Sequence, residues 1–209
     1  MEMQNLSMMS SSVVFLLRQH LTTVELKRED LEQFLTPELG VGQTADGRLV
    51  FTSIADQMEV IVGVNRIDVR DRSPQSPRTR QASQVAQGIL RVLNGDARAY
   101  GVNYEFETDI PSGASGAFLL KTFIKEDTAN YIEGLKGAAL TLFFDMDDRQ
   151  ASIVIEPKRR RPEADKIFVN VNVHKDLGES ESAPVEEQLA TEIEAYFEKV
   201  KEIFSKVMK

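Results

Sequence analysis

The chain has 209 residues, of which 42% are hydrophobic, so it is long enough to bury a sizeable core without disulfides or metal. It contains no cysteine, which excludes a disulfide framework, a zinc site with thiolate ligands and a cysteine nucleophile. Its net charge is −8, which argues against a nucleic-acid partner, because such binders usually carry a basic face. No apolar run approaches the ~20 residues of a membrane span, and the N-terminus lacks the basic start of a secretory signal. The predicted location is therefore the cytoplasm, with no membrane association.

The chain up to residue 70 is predicted to be mainly extended. Residues 1–11 are rich in Met and Ser and are predicted to be a loose N-terminal segment. Apolar runs and alternation predict strands at residues 12–23, 48–54 and 58–64, the last continuing to about residue 70. A short helix is predicted at 27–35, ending before Pro37, because proline disfavours helix in the residue before it. The glycine-rich stretch 40–47 predicts a flexible connection.

A polar loop with two prolines, at 71–79, is the best candidate for an internal domain boundary. Beyond it, the pattern predicts helices at residues 81–93, 117–124, 128–135 and 184–207. Alternation predicts strands at residues 99–110, 138–145, 151–156 and 166–174. The last helix carries an apolar stripe from Val185 to Val207, which is typical of an amphipathic helix that packs on a sheet.

Together these elements predict an α+β fold: a mostly antiparallel sheet of about seven strands, inserted helices, and a long C-terminal amphipathic helix packed on the sheet. The sequence shows no internal repeat. Residues 12–209 are predicted to form a single domain, because residues 12–70 alone offer too few elements to bury a core. From Ala138 onward the order of elements is similar to helix-grip ligand-binding folds. The helices at 81–93 and 117–135 depart from that pattern, so no functional residue is carried over.

Two predicted strands present polar residues on one face and apolar residues on the other. If the strands at 99–110 and 166–174 are neighbours, their polar faces combine amides, carboxylates and one imidazole. Such faces are more often simply the solvated side of a sheet. Glu105 or Glu107 would be the candidate general base in such a site. The predicted ligand-binding residues are Asn103, Glu105, Glu107, Asn170, Asn172 and His174.

Other motifs have simpler structural interpretations, so no catalytic residue, metal ligand or cofactor is assigned. Gly-Ala-Ser-Gly at 113–116 matches neither a nucleophile elbow nor a P-loop, although free amides at a helix start can hold an anion. The acidic segment 145–148 could hold a hard cation, but aspartates are also common in turns between strands. The basic run 158–161 lacks the interleaved aromatic residues of a single-strand platform, and an acidic protein is its other possible partner. His20 and His174 have no local partner and are interpreted as surface or edge histidines.

Two functions of different classes follow from these observations. The absence of a catalytic motif favours a non-enzymatic interaction or scaffold subunit of a cytoplasmic assembly, acting by self-association or with a protein partner. The polar strand faces suggest the alternative, a small-molecule binding protein or an enzyme with a site between the sheet and the C-terminal helix. Fold similarity alone does not decide between them, because one fold hosts many functions.

Overall fold

The computed structural model describes residues 6–21, 26–36, 38–73, 77, 79–110, 113–125 and 133–207. These residues form an α+β fold with a large antiparallel sheet and a C-terminal helix packed on it, which confirms the predicted class. The sheet has nine strands rather than the predicted seven or so.

All nine strands belong to one sheet, in which every pair of neighbours is antiparallel. The strands are β1 (Ser7–Leu17), β2 (Leu39–Gln43), β3 (Leu49–Ser53), β4 (Met58–Gly63), β5 (Arg66–Asp71), β6 (Ala97–Asp109), β7 (Leu140–Met146), β8 (Arg149–Pro157) and β9 (Lys166–Asp176). Their order across the sheet is β2-β3-β4-β5-β1-β6-β9-β8-β7. The strands β1 and β6 therefore lie near the centre, and β2 and β7 form the two edges.

Helices cover one face of this sheet. Among the described residues they are α1 (Arg28–Leu31), α2 (Thr79–Val92), α3 (Ser115–Phe123) and α4 (Glu186–Val207), with a short 3-10 turn at Lys158–Arg160. The long helices α2 and α4 pack against each other, and α2 also packs on β1 and β5. In α4, the ring of Phe197 lies 5.9 Å from the rings of Tyr104 and Phe106 on β6. The C-terminal helix is thereby fixed over the centre of the sheet.

The alternation in β6 explains why its two faces differ. Tyr100, Val102, Tyr104 and Phe106 are buried under the helices, as alternate residues of a half-covered strand must be. Full burial of a large apolar side chain contributes roughly 1.5–3 kcal/mol to folding, so this row is a major part of the core. The hydroxyl of Tyr104 donates a hydrogen bond to the carbonyl of Ile193 in α4, which satisfies its one buried polar group.

The order of elements repeats once along the chain. The first half runs β1, α1, the meander β2 to β5, and α2, and the second half runs β6, α3, the meander β7 to β9, and α4. From the centre of the sheet outwards, the first half has the order β1, β5, β4, β3, β2, and the second half has the order β6, β9, β8, β7. In each half the first strand is innermost and the meander follows in reverse order. The repetition is one of topology, since the sequence itself shows no repeat.

Three predictions about the first half are corrected by the structure. The strand β1 begins at Ser7, so residues 7–11, predicted to be loose, are paired with a neighbouring strand. The strand β2 lies where a flexible connection was predicted. Its glycines do not favour an extended strand by themselves, and the hydrogen bonds to β3 hold it in that conformation. The strand β5 is separate from β4, because the chain turns at Val64 and Asn65 instead of continuing.

Other predictions differ in extent or stay predictions. The helix predicted at 27–35 is only the four residues of α1, followed by turns. Of the helix predicted at 128–135, residues 128–132 lie outside the described residues, and 133–135 contain a turn. The single domain and its alternative boundary at 71–79 stay predictions, and the sheet continues from the strands before that loop to those after it.

Candidate functional site

The two polar strand faces predicted as a ligand site lie side by side. The strand β6 pairs with β9, so that Asn103 faces Asn172 and Glu105 faces Asn170. The Nδ2 of Asn172 donates to the Oδ1 of Asn103, whose own Nδ2 donates to the Oγ of Ser12 at 3.2 Å. A row of hydrogen-bonded amides and a hydroxyl therefore crosses from β9 through β6 to β1.

This polar surface is the open face of the sheet, on the side away from α4. In β6, Tyr104 and Phe106 point towards α4 and contact Phe197. Because successive side chains of a strand point to opposite faces, Asn103 and Glu105 point away from the helix. The predicted residues therefore do not line the space between the sheet and the C-terminal helix, where the alternative function placed its site.

Glu107 and His174 stand apart from the central polar row. The buried carboxylate of Glu107 lies 2.8 Å from the Nζ of Lys158 and 3.9 Å from the Nζ of Lys166. The Nε2 of His174 lies 3.0 Å from the Oδ1 of Asp176, at the end of β9. Since Glu107 is held in ion pairs, Glu105 is the better placed of the two carboxylates to reach a ligand.

Three of the six predicted residues, Asn103, Glu105 and Asn170, line a cleft of about 180 Å³ on the open face, which we call the polar cleft. It exists because β1 places two small residues, Ser10 and Ser12, between the longer side chains of β5 and β6. The serines form its floor and the longer side chains form its walls. The other lining residues are Arg66, Asp68 and Arg70, all on β5.

The charged wall of the polar cleft was missed by the sequence analysis. The Oδ2 of Asp68 accepts a hydrogen bond from the Nη2 of Arg66 at 3.1 Å, and its Oδ1 has no donor among the described residues. Asp68 is only 6% exposed. The side chain of Arg70 makes no ion pair or hydrogen bond within the same part of the chain. The available signal is the alternation of these charged residues with Ile67 and Val69, but the sequence pattern predicts β5 only as a continuation of β4.

A larger groove, of about 650 Å³, lies where α4 and the segment before it meet the sheet. Its lining includes Tyr100, Arg149, Lys175, Pro184 and Glu192, and none of the six predicted site residues. The groove lies between the sheet and the C-terminal helix, where the alternative function places its site. The six predicted site residues are on the opposite face of the sheet.

Arg149 joins the sheet to α4 inside this groove. Its side chain is 8% exposed, its Nη2 donates to the Oε1 of Glu192 at 2.6 Å, and its Nε donates to the hydroxyl of Tyr196. The guanidinium also lies 5.1 Å from the centre of the Tyr100 ring, a cation–π contact. Burial raises the pKa of Tyr100 and of Tyr196, and the hydrogen bond to Glu192 raises that of Tyr100 further. The Nη1 of Arg149 has no hydrogen-bond partner among the described residues and lies 3.7 Å from the Oδ1 of Asp148. The other contacts make the cluster a structural link between β8 and α4.

The edge strand β7 exposes apolar side chains. Within the described part of the chain, β7 pairs only with β8, which leaves the backbone groups on its other side unused by the sheet. Phe143 is 83% exposed on the open face. The strand reads Leu-Thr-Leu-Phe-Phe-Asp-Met and has neither the lysine nor the proline that commonly protects an edge strand.

The Gly-Ala-Ser-Gly segment has a packing role. The backbone N–H groups of Ser115 and Gly116, in the first turn of α3, donate to the carbonyls of Ala164 and Pro162 at 2.6 and 2.8 Å. These two amides are therefore engaged and not available to an anion. A Cβ at Gly116 would lie 2.6 Å from the Cβ of Pro162 and 2.7 Å from the carbonyl oxygen of Lys136, which explains the glycine.

The acidic segment forms the turn between β7 and β8. Asp147 adopts a left-handed conformation, with φ of 56°, which aspartate tolerates well. Asp148 lies 2.6 Å from the Nζ of Lys175. Among the described residues, no group of three or more histidines and carboxylates is placed to hold a metal ion. His20 is exposed at the surface, just after β1.

The basic run forms the 3-10 turn after β8, at the end of the sheet. Lys158 lies 2.8 Å from Glu107, and Arg160 lies 3.3 Å from Glu156. Part of its positive charge is therefore neutralised by carboxylates of the open face.

Comparison with known proteins gives no family for this chain. No protein-family model matches it, and no curated protein matches it at a significant level. In the part of the chain that the structure describes, no helix is both long and apolar enough to cross a bilayer.

Proposed function

We propose that the protein is a non-enzymatic interaction subunit that associates with a second copy of itself through β7. The open edge of β7, with its exposed Phe143, is the observation that supports this most directly. When one edge strand adds to another, main-chain hydrogen bonds supply affinity and the alternating side chains supply specificity.

An antiparallel pair of β7 strands centred on Phe143 suits the sequence of the strand. In this register Leu142 of one copy faces Phe144 of the other, and Thr141 faces Asp145, so no like charges meet. The two Phe143 side chains face each other on the open face. A pair centred on Asp145 would instead place two carboxylates opposite each other. The central register is also isologous, as expected of a twofold dimer.

The other edge of the sheet offers less to a partner strand. The strand β2 has five residues, and two of them, Gly40 and Gly42, have no side chain to pack. Val41 is its one exposed large apolar residue, at 58%. Cross-strand packing would therefore contribute less at β2 than at β7.

The absence of cysteine makes the β7 interface testable by cross-linking. Phe143→Cys would place the only two thiols of the dimer opposite each other, at a Cα separation of about 4.5–5.5 Å that suits a disulfide. We expect mild oxidation to give a covalent dimer on non-reducing electrophoresis. Thr141→Cys is the matched control, because it is exposed on the same strand and face but lies about 13 Å from its counterpart in this register.

Native mass spectrometry gives an independent readout on the unmodified chain of 23.5 kDa, for which we expect twice that mass. Phe143→Lys should give a monomer, whereas Val41→Lys, the same change at the other edge, should leave the dimer intact. A monomeric natural chain, or equal cross-linking of the two cysteine variants, would contradict the β7 interface.

A further inference from the structure

We infer that the polar cleft binds a small zwitterionic ligand, carrying a primary ammonium group and a carboxylate and about the size of alanine. This site involves β5, β1, β6 and β9, and it is separate from the β7 edge, so it does not depend on self-association.

The size of the cleft limits the ligand. Its volume of about 180 Å³ is smaller than that of sites for drug-sized ligands, which begin at about 300 Å³, so the cleft suits only a small molecule. The serine floor sets this limit, because Ser10 and Ser12 leave space only between the flanking strands.

The charge of the cleft favours a ligand with no net charge. Its walls carry two guanidinium groups and two carboxylates. Arg66 and Asp68 already form an ion pair, at 3.1 Å, which leaves the cation of Arg70 and the anion of Glu105. A ligand with one charge of each sign can satisfy both, whereas a simple anion or cation would leave one of them without a partner.

Acceptors for an ammonium group lie on the β6 and β9 side of the cleft. Asp68 is not one of them, because it pairs with Val14 on β1, about 13 Å along the strand from Ser10, which pairs with Glu105. Glu105 uses its Oε2 to accept from the Oγ of Ser10 at 2.7 Å, and its Oε1 remains an acceptor. The side chain of Asn170, opposite Glu105, adds an amide oxygen. An ammonium group has three donors, so it can bond to the carboxylate of Glu105 and the amide oxygen of Asn170 at once.

Donors for a carboxylate come from the floor and the opposite part of the wall. The guanidinium of Arg70 is a fork of N–H groups that suits the two oxygens of a carboxylate. Ser12 pairs with Arg70 across β1 and β5, and its Oγ accepts from Asn103, so its own proton is free to donate. The cleft therefore offers separate ends for the two charged groups of an amino acid.

The test compares three probes of similar shape by amide NMR titration of the full chain. L-alanine has both charged groups, L-lactate replaces the ammonium with a hydroxyl, and isopropylamine replaces the carboxylate with a methyl group. We expect L-alanine to bind at least about tenfold more tightly than either of the others, with shifts confined to the cleft strands. Absence of L-alanine binding, or equal affinity for L-lactate or isopropylamine, would overturn the inference.

Variants locate the site. Arg70→Gln should weaken L-alanine binding by about tenfold or more, because it removes the charged donor. Arg91→Gln is the matched control, because Arg91 is the same residue type, exposed on α2, which covers the opposite face of the sheet. Glu105→Gln should also weaken binding, because it removes the anion that faces the ammonium group, and if that variant does not fold, the Arg70→Gln result decides. Unchanged affinity in Arg70→Gln would overturn the site.

Discussion

Asp56 ties three elements together with a single carboxylate. Its Oδ2 accepts from the backbone N–H of Thr36 at 2.6 Å and from the Oγ of Ser53 at 2.7 Å, and its Oδ1 accepts from Gln81 at 3.1 Å. Burial acts to raise the pKa of Asp56, but the hydrogen bonds from Ser53 and Thr36 outweigh it and lower the pKa to about 2. The turn between β3 and β4 is thereby attached to the chain after α1 and to the first turn of α2.

This carboxylate should make stability depend on pH in the acid range. Its folded pKa of about 2 lies below the ordinary aspartate pKa of 3.8, so its contribution is complete above about pH 4 and is lost as the pH falls towards 2. Because the turn is partly exposed, we expect Asp56→Asn to lower the free energy of unfolding at neutral pH by about 1 kcal/mol. The loss should shrink in acid, as measured by denaturant unfolding at several pH values. Asp46→Asn, in the exposed β2–β3 turn, is the control, and an equal effect there would contradict this role.

For the ion pair between Arg149 and Glu192, loss of one partner should destabilise the protein more than replacement of both partners. Glu192→Gln removes the nearer of the two carboxylates around Arg149 and leaves only Asp148, at 3.7 Å, so we expect a loss of about 2 kcal/mol in the free energy of unfolding. Arg149→Met combined with Glu192→Gln should cost less than the sum of the two single changes. Glu202→Gln, on the exposed side of α4, should leave stability nearly unchanged. Additive single and double variants would show that the pair is not coupled.

The start of α3 shows how one position can fix an element. Gly116 packs against Pro162 and the carbonyl of Lys136, which leaves no room for a side chain. We expect Gly116→Ala to destabilise the protein by about 1–3 kcal/mol, through displacement of those segments. Thermal unfolding should show this as a fall in Tm of about 2–4 °C for each kcal/mol lost. Gly42→Ala is the control, since a Cβ there meets nothing within 4 Å, and an equal fall in Tm would contradict the packing explanation.

Helices and strands were predictable from the sequence where one face is buried in the core and the other is exposed to solvent. The alternation in β6 and β9 predicted both strands and their polar faces, and the stripe in α4 predicted its packing. The strand β2 was missed because two of its five residues are glycines, so its state depends on pairing with β3. The strand β5 was merged with β4 because only Val64 and Asn65 separate them, too few for a composition signal.

At the scale of the whole molecule, three of the eight residues that line the polar cleft were predictable. Asn103, Glu105 and Asn170 follow from strand alternation, and they line the polar cleft. Asp68 and Arg70 could not be added, because they reach the cleft only through the position of β1 between β5 and β6. That arrangement depends on pairing between distant segments, which alternation within one strand does not encode.

The central ladder of β1 and β6 also has a consequence for how the chain folds. Ser10 and Glu105, which bond across it, are 95 positions apart in the sequence. Contacts of this kind require closure of a long loop, and folding slows as their share rises. The first half of the sheet, β2-β3-β4-β5-β1, is complete within the part of the chain that is synthesised first. We therefore expect β1 to be the edge of the growing sheet until β6 is synthesised and pairs with it.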